Sequence, residues 1–161
     1  MPSYDASRFN PPAPVAQVTL RNPTIGTVVS NVVLLVDSGA DITLLPRKAI
    51  VELGVGVATG PGYEVAGFDG TKSFIPAVNV DMVFLRRVFK GQYLVIDEDQ
   101  GILGRDVLNH IALLLDGPGR VGKSTDLELC ADAEPTHAPD SRKRRFACFL
   151  LQVMRIVRDA S

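Results

Sequence analysis

Residues 27–41 read TVVSNVVLLVDSGAD. The stretch is rich in β-branched side chains and ends in an unbroken apolar run, Val32 to Val36, which predicts a buried strand. That strand runs without a spacer into Asp37-Ser38-Gly39-Ala40-Asp41. A carboxylate at the end of a buried strand is costly unless it is hydrogen-bonded or shared. Gly39 permits close backbone approach, and Ala40 is small enough to keep a cleft open. An Asp after a strand is most often a turn former. The alternative is a carboxylate presented to a substrate.

The flanking sequence repeats the strand grammar. Upstream, Val15, Val18 and Leu20 fit a short strand, and residues 1–14 are polar and Pro-rich, which predicts a disordered lead. Downstream, Ile42 to Leu45 is apolar and closed by Pro46, and Arg47 to Leu53 fits a helical turn stopped by Gly54. Tyr63 to Ala66 and Thr71 to Ile75 flank Gly67-Phe68-Asp69-Gly70, a β-hairpin signal. Val78 to Val83, Gln92 to Ile96 and Ile111 to Leu115 predict further strands, with a short helix over Val107 to His110. Asp126 to Cys130 predicts a last strand. Many short strands with little helical periodicity predict an all-β barrel or sandwich.

A chain of 161 residues fits one domain, here 15–130, followed by a tail over 131–161. The tail carries Arg142-Lys143-Arg144-Arg145 and then an apolar run, Phe146 to Val157, interrupted by Arg155. A net charge of −1 gives no global pull toward nucleic acid. Two cysteines and two histidines, without ligand spacing, exclude a disulfide scaffold and point to no metal and no cofactor. No apolar run reaches the roughly 18 residues of a membrane helix. The N-terminus lacks a secretory signal. The expected compartment is the cytoplasm.

Val36-Asp37-Ser38-Gly39-Ala40-Asp41 resembles the active-site loop of the retropepsin-like aspartic proteases. Ile102-Leu103-Gly104-Arg105-Asp106 resembles that family's second signature: two apolar residues, Gly, Arg, then Asp or Asn. A glycine-tipped hairpin lies between the two, and the resemblance spans about residues 15–130. It implies a closed β-barrel lobe with a flap hairpin and one short helix, acting on polypeptides as a homodimer. Asp37 would be the catalytic acid/base. Ser38 would brace the opposite loop across the dimer, and Gly39 would touch substrate backbone. Asp41 would pair with Arg105; if that pair is partly buried, breaking it costs on the order of 3 kcal/mol. Gly67, Phe68, Asp69 and Gly70 would form the flap tip. In retroviral dimers the N- and C-terminal strands interleave, and here a Gly-rich insertion after Leu115 separates the last strands, so the interface is expected to differ.

Peptide hydrolysis by this route needs two carboxylates sharing one proton, and the chain has a single Asp-Ser-Gly segment. A two-fold dimer supplies the second. The alternative within the same resemblance is a non-catalytic dimerisation or peptide-binding module. A third motif competes: Gly117-Pro-Gly-Arg-Val-Gly-Lys-Ser124 matches the phosphate-loop pattern G-x-x-x-x-G-K-[ST]. That loop requires a helix after it, and the alternating Leu127 and Leu129 argue for a strand instead.

Overall fold

The structure, a computed structural model, describes residues 2–56, 63–66, 72–124 and 155–156. The chain begins with β1 (Ser3–Asp5) and β2 (Ala13–Arg21), followed by β3 (Val28–Val36), β4 (Leu44–Pro46) and helix α1 (Arg47–Glu52). A hairpin, β5 (Tyr63–Ala66) and β6 (Lys72–Ile75), precedes the long pair β7 (Ala77–Phe84) and β8 (Arg87–Ile96). Then come β9 (Gly101–Leu103), helix α2 (Arg105–Leu108), β10 (Leu113–Asp116), β11 (Val121–Ser124) and β12 (Arg155–Ile156). Among the described residues the architecture is all-β with two short helices, near the two places where the residue pattern puts helical turns, against the one that the resemblance implies.

Six strands close on themselves in the order β2-β3-β9-β4-β8-β7, and β7 pairs back to β2. Within this barrel β3 runs parallel to β9, and β4 parallel to β8; the remaining pairs are antiparallel. The barrel is filled by the apolar faces of those strands and of α1: Leu20, Leu34, Leu45, Ile50, Leu53, Met82 and Leu103 are fully buried. A smaller cluster of Leu44, Val65, Ala77 and Leu94 lies under the β5–β6 hairpin. Closure leaves no open edge in the six-stranded ring, which removes the usual liability of a β-sheet.

Local chemistry explains where strands bend and turn. Asn31 takes φ 60° inside β3, where the register against β2 shifts between Val18 and Leu20. Asn tolerates that left-handed backbone better than the valines around it. At the β7–β8 turn, Leu85 and Arg86 have φ of 49° and 62°. A two-residue I′ hairpin requires both values to be positive. The usual Asn-Gly signal is absent there, so the sequence predicts two shorter strands where the structure has one continuous hairpin.

Part of the segment expected as a disordered lead is ordered. Ser3–Asp5 forms β1, paired with both β2 and β11. Asp5 Oδ1 accepts the Ser7 amide at 2.8 Å and holds the turn that follows. The phosphate-loop match is a β-hairpin: Asp116 pairs with Val121 and Leu114 with Lys123. Gly122, Lys123 and Ser124 lie in a strand, where the phosphate-loop pattern needs them to open a helix. The expected strand over Asp126 to Cys130 lies outside the described residues.

Candidate active site

The loop after β3 is tied to β9 by backbone geometry. The parallel ladder pairs Val36 with Leu103, and the Asp37 N–H continues it by donating to the Leu103 carbonyl at 3.1 Å. The chain then turns. Ala40 N–H donates to the Asp37 carbonyl at 3.3 Å, and Gly39 N–H donates to Asp37 Oδ1 at 2.8 Å. Asp37 is buried at 9% exposure, Ser38 is exposed, and Ala40 is buried. The Asp37 carboxylate is thus held by a backbone donor of its own loop. Ala40 is buried, and its carbonyl accepts the Arg105 N–H at 2.9 Å.

Each residue of Gly104-Arg105-Asp106 makes a separate tie to the segment after Asp37. A side chain at Gly104 would place its Cβ 2.5 Å from the Ile42 carbonyl carbon and 2.7 Å from its oxygen, so only glycine fits. The Gly104 N–H donates to Thr43 Oγ1 at 3.0 Å. Arg105 forms an ion pair with Asp41. Asp106 accepts twice from Thr43, from its N–H at 3.0 Å and its hydroxyl at 2.7 Å. The two segments therefore behave as one rigid floor beneath Asp37.

The Asp41–Arg105 pair is more exposed than expected. The Arg105 side chain is 49% exposed and Asp41 28%, so water screens the pair and its worth falls to about 1 kcal/mol or less. Thr43 carries no signal in the sequence beyond a hydroxyl among apolar neighbours. It is fully buried and bonds across the floor to both Gly104 and Asp106. Its partner lies 63 residues away, which local pattern does not reach. Gly67, Phe68, Asp69 and Gly70 lie outside the described residues. The strands on either side of them pair in register from Tyr63↔Ile75 to Ala66↔Lys72.

Near the floor, Tyr93 is buried and donates to the Phe89 carbonyl at 3.0 Å. Burial raises its phenol well above the usual range, and the carboxylates of Asp106 and Asp81 add to the effect. Among the described residues no group of three or more His, Cys, Asp and Glu side chains converges on a metal position. No helix among them is long and apolar enough to cross a membrane.

The site is thus a closed six-stranded barrel carrying an Asp-Ser-Gly loop locked to a Gly-Arg-Asp segment. The chain is similar to EIAV protease, solved with the inhibitor HBY-793, at 24% identity, covering 61% of this chain and 86% of that one, with TM-score 0.49. It is similar to the retroviral protease-like domain of Ddi1 from Leishmania major at 17% identity, covering 70% and 90%, with TM-score 0.41. A retropepsin-like aspartic protease from Rickettsia conorii is similar at 18% identity, covering 70% and 94%, with TM-score 0.41. No family model matches the chain, and no curated protein matches it.

Proposed function

We propose that the chain is an aspartic endopeptidase whose active site forms between two copies, each supplying Asp37. The observation that carries this reading is the state of the carboxylates around the floor. Asp37 is buried and bonded to a backbone amide. Asp41 is engaged by Arg105, and Asp106 by Thr43. Neither neighbour is available as a second catalytic acid. Two Asp37 carboxylates brought within about 3 Å cannot both ionise, so they share a proton. One takes a proton from the attacking water; the other, protonated, donates to the scissile carbonyl oxygen. Water adds to the carbonyl carbon, and collapse of the tetrahedral species returns a proton to the leaving amine.

The strand order supports a particular way of pairing. Both edges of β1 are filled by β2 and β11, and both edges of β11 by β1 and β10. Interleaving of terminal strands, as in retroviral dimers, would have to break these pairings. Among the described strands of that sheet, β10 ends the order and keeps an unpaired edge, and its Leu114 and Leu115 are exposed at 56% and 37%. An antiparallel β10–β10 contact is self-complementary about a two-fold axis. Pairing there would join two three-stranded arms into one sheet.

The test is cleavage of an unfolded protein with and without a statine-type transition-state mimic. The Asp37→Asn variant should lose on the order of 10²–10⁴-fold in rate, because an amide cannot take the proton. Its fold should persist, since the amide oxygen still accepts the Gly39 N–H. Undiminished cleavage by purified Asp37→Asn protein overturns the assignment.

A further inference from the structure

We propose that the outer edge of β5 is a strand-addition site for an extended polypeptide, and that the chain's own Arg155–Ile156 segment fills it. This rests on the protease reading only for its consequence, competition with substrate. One edge of β5 pairs with β6 over four residues. The other pairs antiparallel with β12, Arg155 opposite Ala66 and Ile156 opposite Val65. The three strands form a sheet separate from the barrel sheet, in the order β12-β5-β6.

The site adjoins the floor through packing. Val65 is 2% exposed and belongs to the cluster that holds Leu44 and Leu94, against which Ile42 and Ile102 pack. Ile42 follows Asp41, and Ile102 belongs to the second signature. A strand added to β5 is therefore carried on the same apolar patch as both segments of the candidate active site.

The mode of binding sets the ligand class. An edge strand binds through backbone N–H and C=O groups and accepts any extended peptide whose side chains fit on alternate faces. The segment around β12 is apolar and β-prone: Leu150-Leu151-Gln152-Val153-Met154-Arg155-Ile156-Val157. Residues 125–154 connect it to β11, a length that spans far more than the molecule when extended. A tethered segment competes at an effective concentration set by the length of its connection, up to roughly millimolar. A free peptide that binds in the micromolar range or weaker is then displaced by the chain's own segment.

The test uses the full chain, its Ile156→Pro variant, and a chain ending at Pro139. Proline removes a donor and disrupts the antiparallel pairing. Hydrogen exchange over Tyr63–Ala66 should be slow in the full chain and at least about tenfold faster in both variants. A synthetic peptide of residues 150–160 added to the shortened chain should restore protection; the same peptide with proline at the position of Ile156 should not. Unchanged exchange in Ile156→Pro overturns the strand-addition site, and this readout needs no enzymatic activity. With a fluorogenic peptide substrate, both variants should show a lower KM and an unchanged kcat. If exchange responds and KM does not, the segment docks without blocking substrate, and the competitive role is refuted. Loss of all cleavage together with a normal exchange response would count against the protease reading alone.

Discussion

Two stretches of this chain share one grammar and meet opposite fates. Leu34-Leu35-Val36-Asp37-Ser38-Gly39 and Leu113-Leu114-Leu115-Asp116-Gly117 are each an apolar strand, an Asp and a glycine turn. Leu34 is fully buried and Leu35 nearly so; Leu114 and Leu115 are exposed. Asp37 ends a strand inside the barrel, with its N–H bonded to Leu103 on a parallel neighbour. Asp116 ends a strand at a sheet edge and accepts the Gly119 N–H at 3.0 Å within its own hairpin. The second is the ordinary turn former. What makes the first a candidate catalytic group is the partner strand brought from residues 101–106, and composition within either stretch does not tell them apart.

This contrast is open to a direct stability measurement. Leu34→Ala removes a side chain from the closed barrel and should cost about 2–5 kcal/mol in urea unfolding. Leu114→Ala should change stability by less than about 0.5 kcal/mol in the dilute, unpaired chain. Equal losses would mean that the two strands are equally buried and that the edge assigned to β10 is wrong. At concentrations where copies pair, Leu114→Ala should weaken the association, which sedimentation can follow.

The floor itself contains a smaller contrast between adjacent residues. Asp106→Ala leaves the buried Thr43 N–H and hydroxyl without an acceptor and should cost about 1–3 kcal/mol. Arg105→Ala removes a half-exposed partner of Asp41 and should cost less than about 1 kcal/mol. If Arg105→Ala proves the more damaging, the ion pair and not the Thr43–Asp106 bond holds the two segments together. Double substitution of Thr43→Val with Asp106→Ala should be less than additive, because the two residues share one interaction.

A weaker effect is expected from pH. Tyr93 has a folded pKa raised above its ordinary value of 10.0. The folded state therefore keeps its proton where the unfolded chain has lost it. That contribution to stability is complete below about pH 10 and is lost as pH rises toward the folded value. Melting temperature should fall between about pH 10 and 11.5 in the wild type and fall less steeply in Tyr93→Phe. Parallel curves would show that the phenol is not buried beside Asp106 as described.

Most of the barrel was legible because its strands announce themselves by apolar, β-branched runs. The β5–β6 strands, β7, the second half of β8 and the helix after Pro46 fall where the sequence places them. Three features were not legible. Ser3–Asp5 has no apolar signal, and its pairing with β2 and β11 comes from neighbours far along the chain. Leu85 and Arg86 hold left-handed backbone without the residues that usually signal it. Thr43 gains its role only from Asp106 and Gly104 across the barrel. Local pattern finds the strands; the partners that turn a strand end into a site are set by closure.

The shared site is tested most directly by mixing chains. Asp37→Asn protein is added in about ninefold excess to a fixed amount of wild type and allowed to exchange, with Asp116→Asn protein as the control. Random pairing leaves about one tenth of the wild-type chains with a competent partner, so cleavage per wild-type chain should fall to about one tenth with Asp37→Asn and should not fall with Asp116→Asn. Cleavage per wild-type chain that is unaffected by exchanged Asp37→Asn chains would contradict a site built from two Asp37 carboxylates.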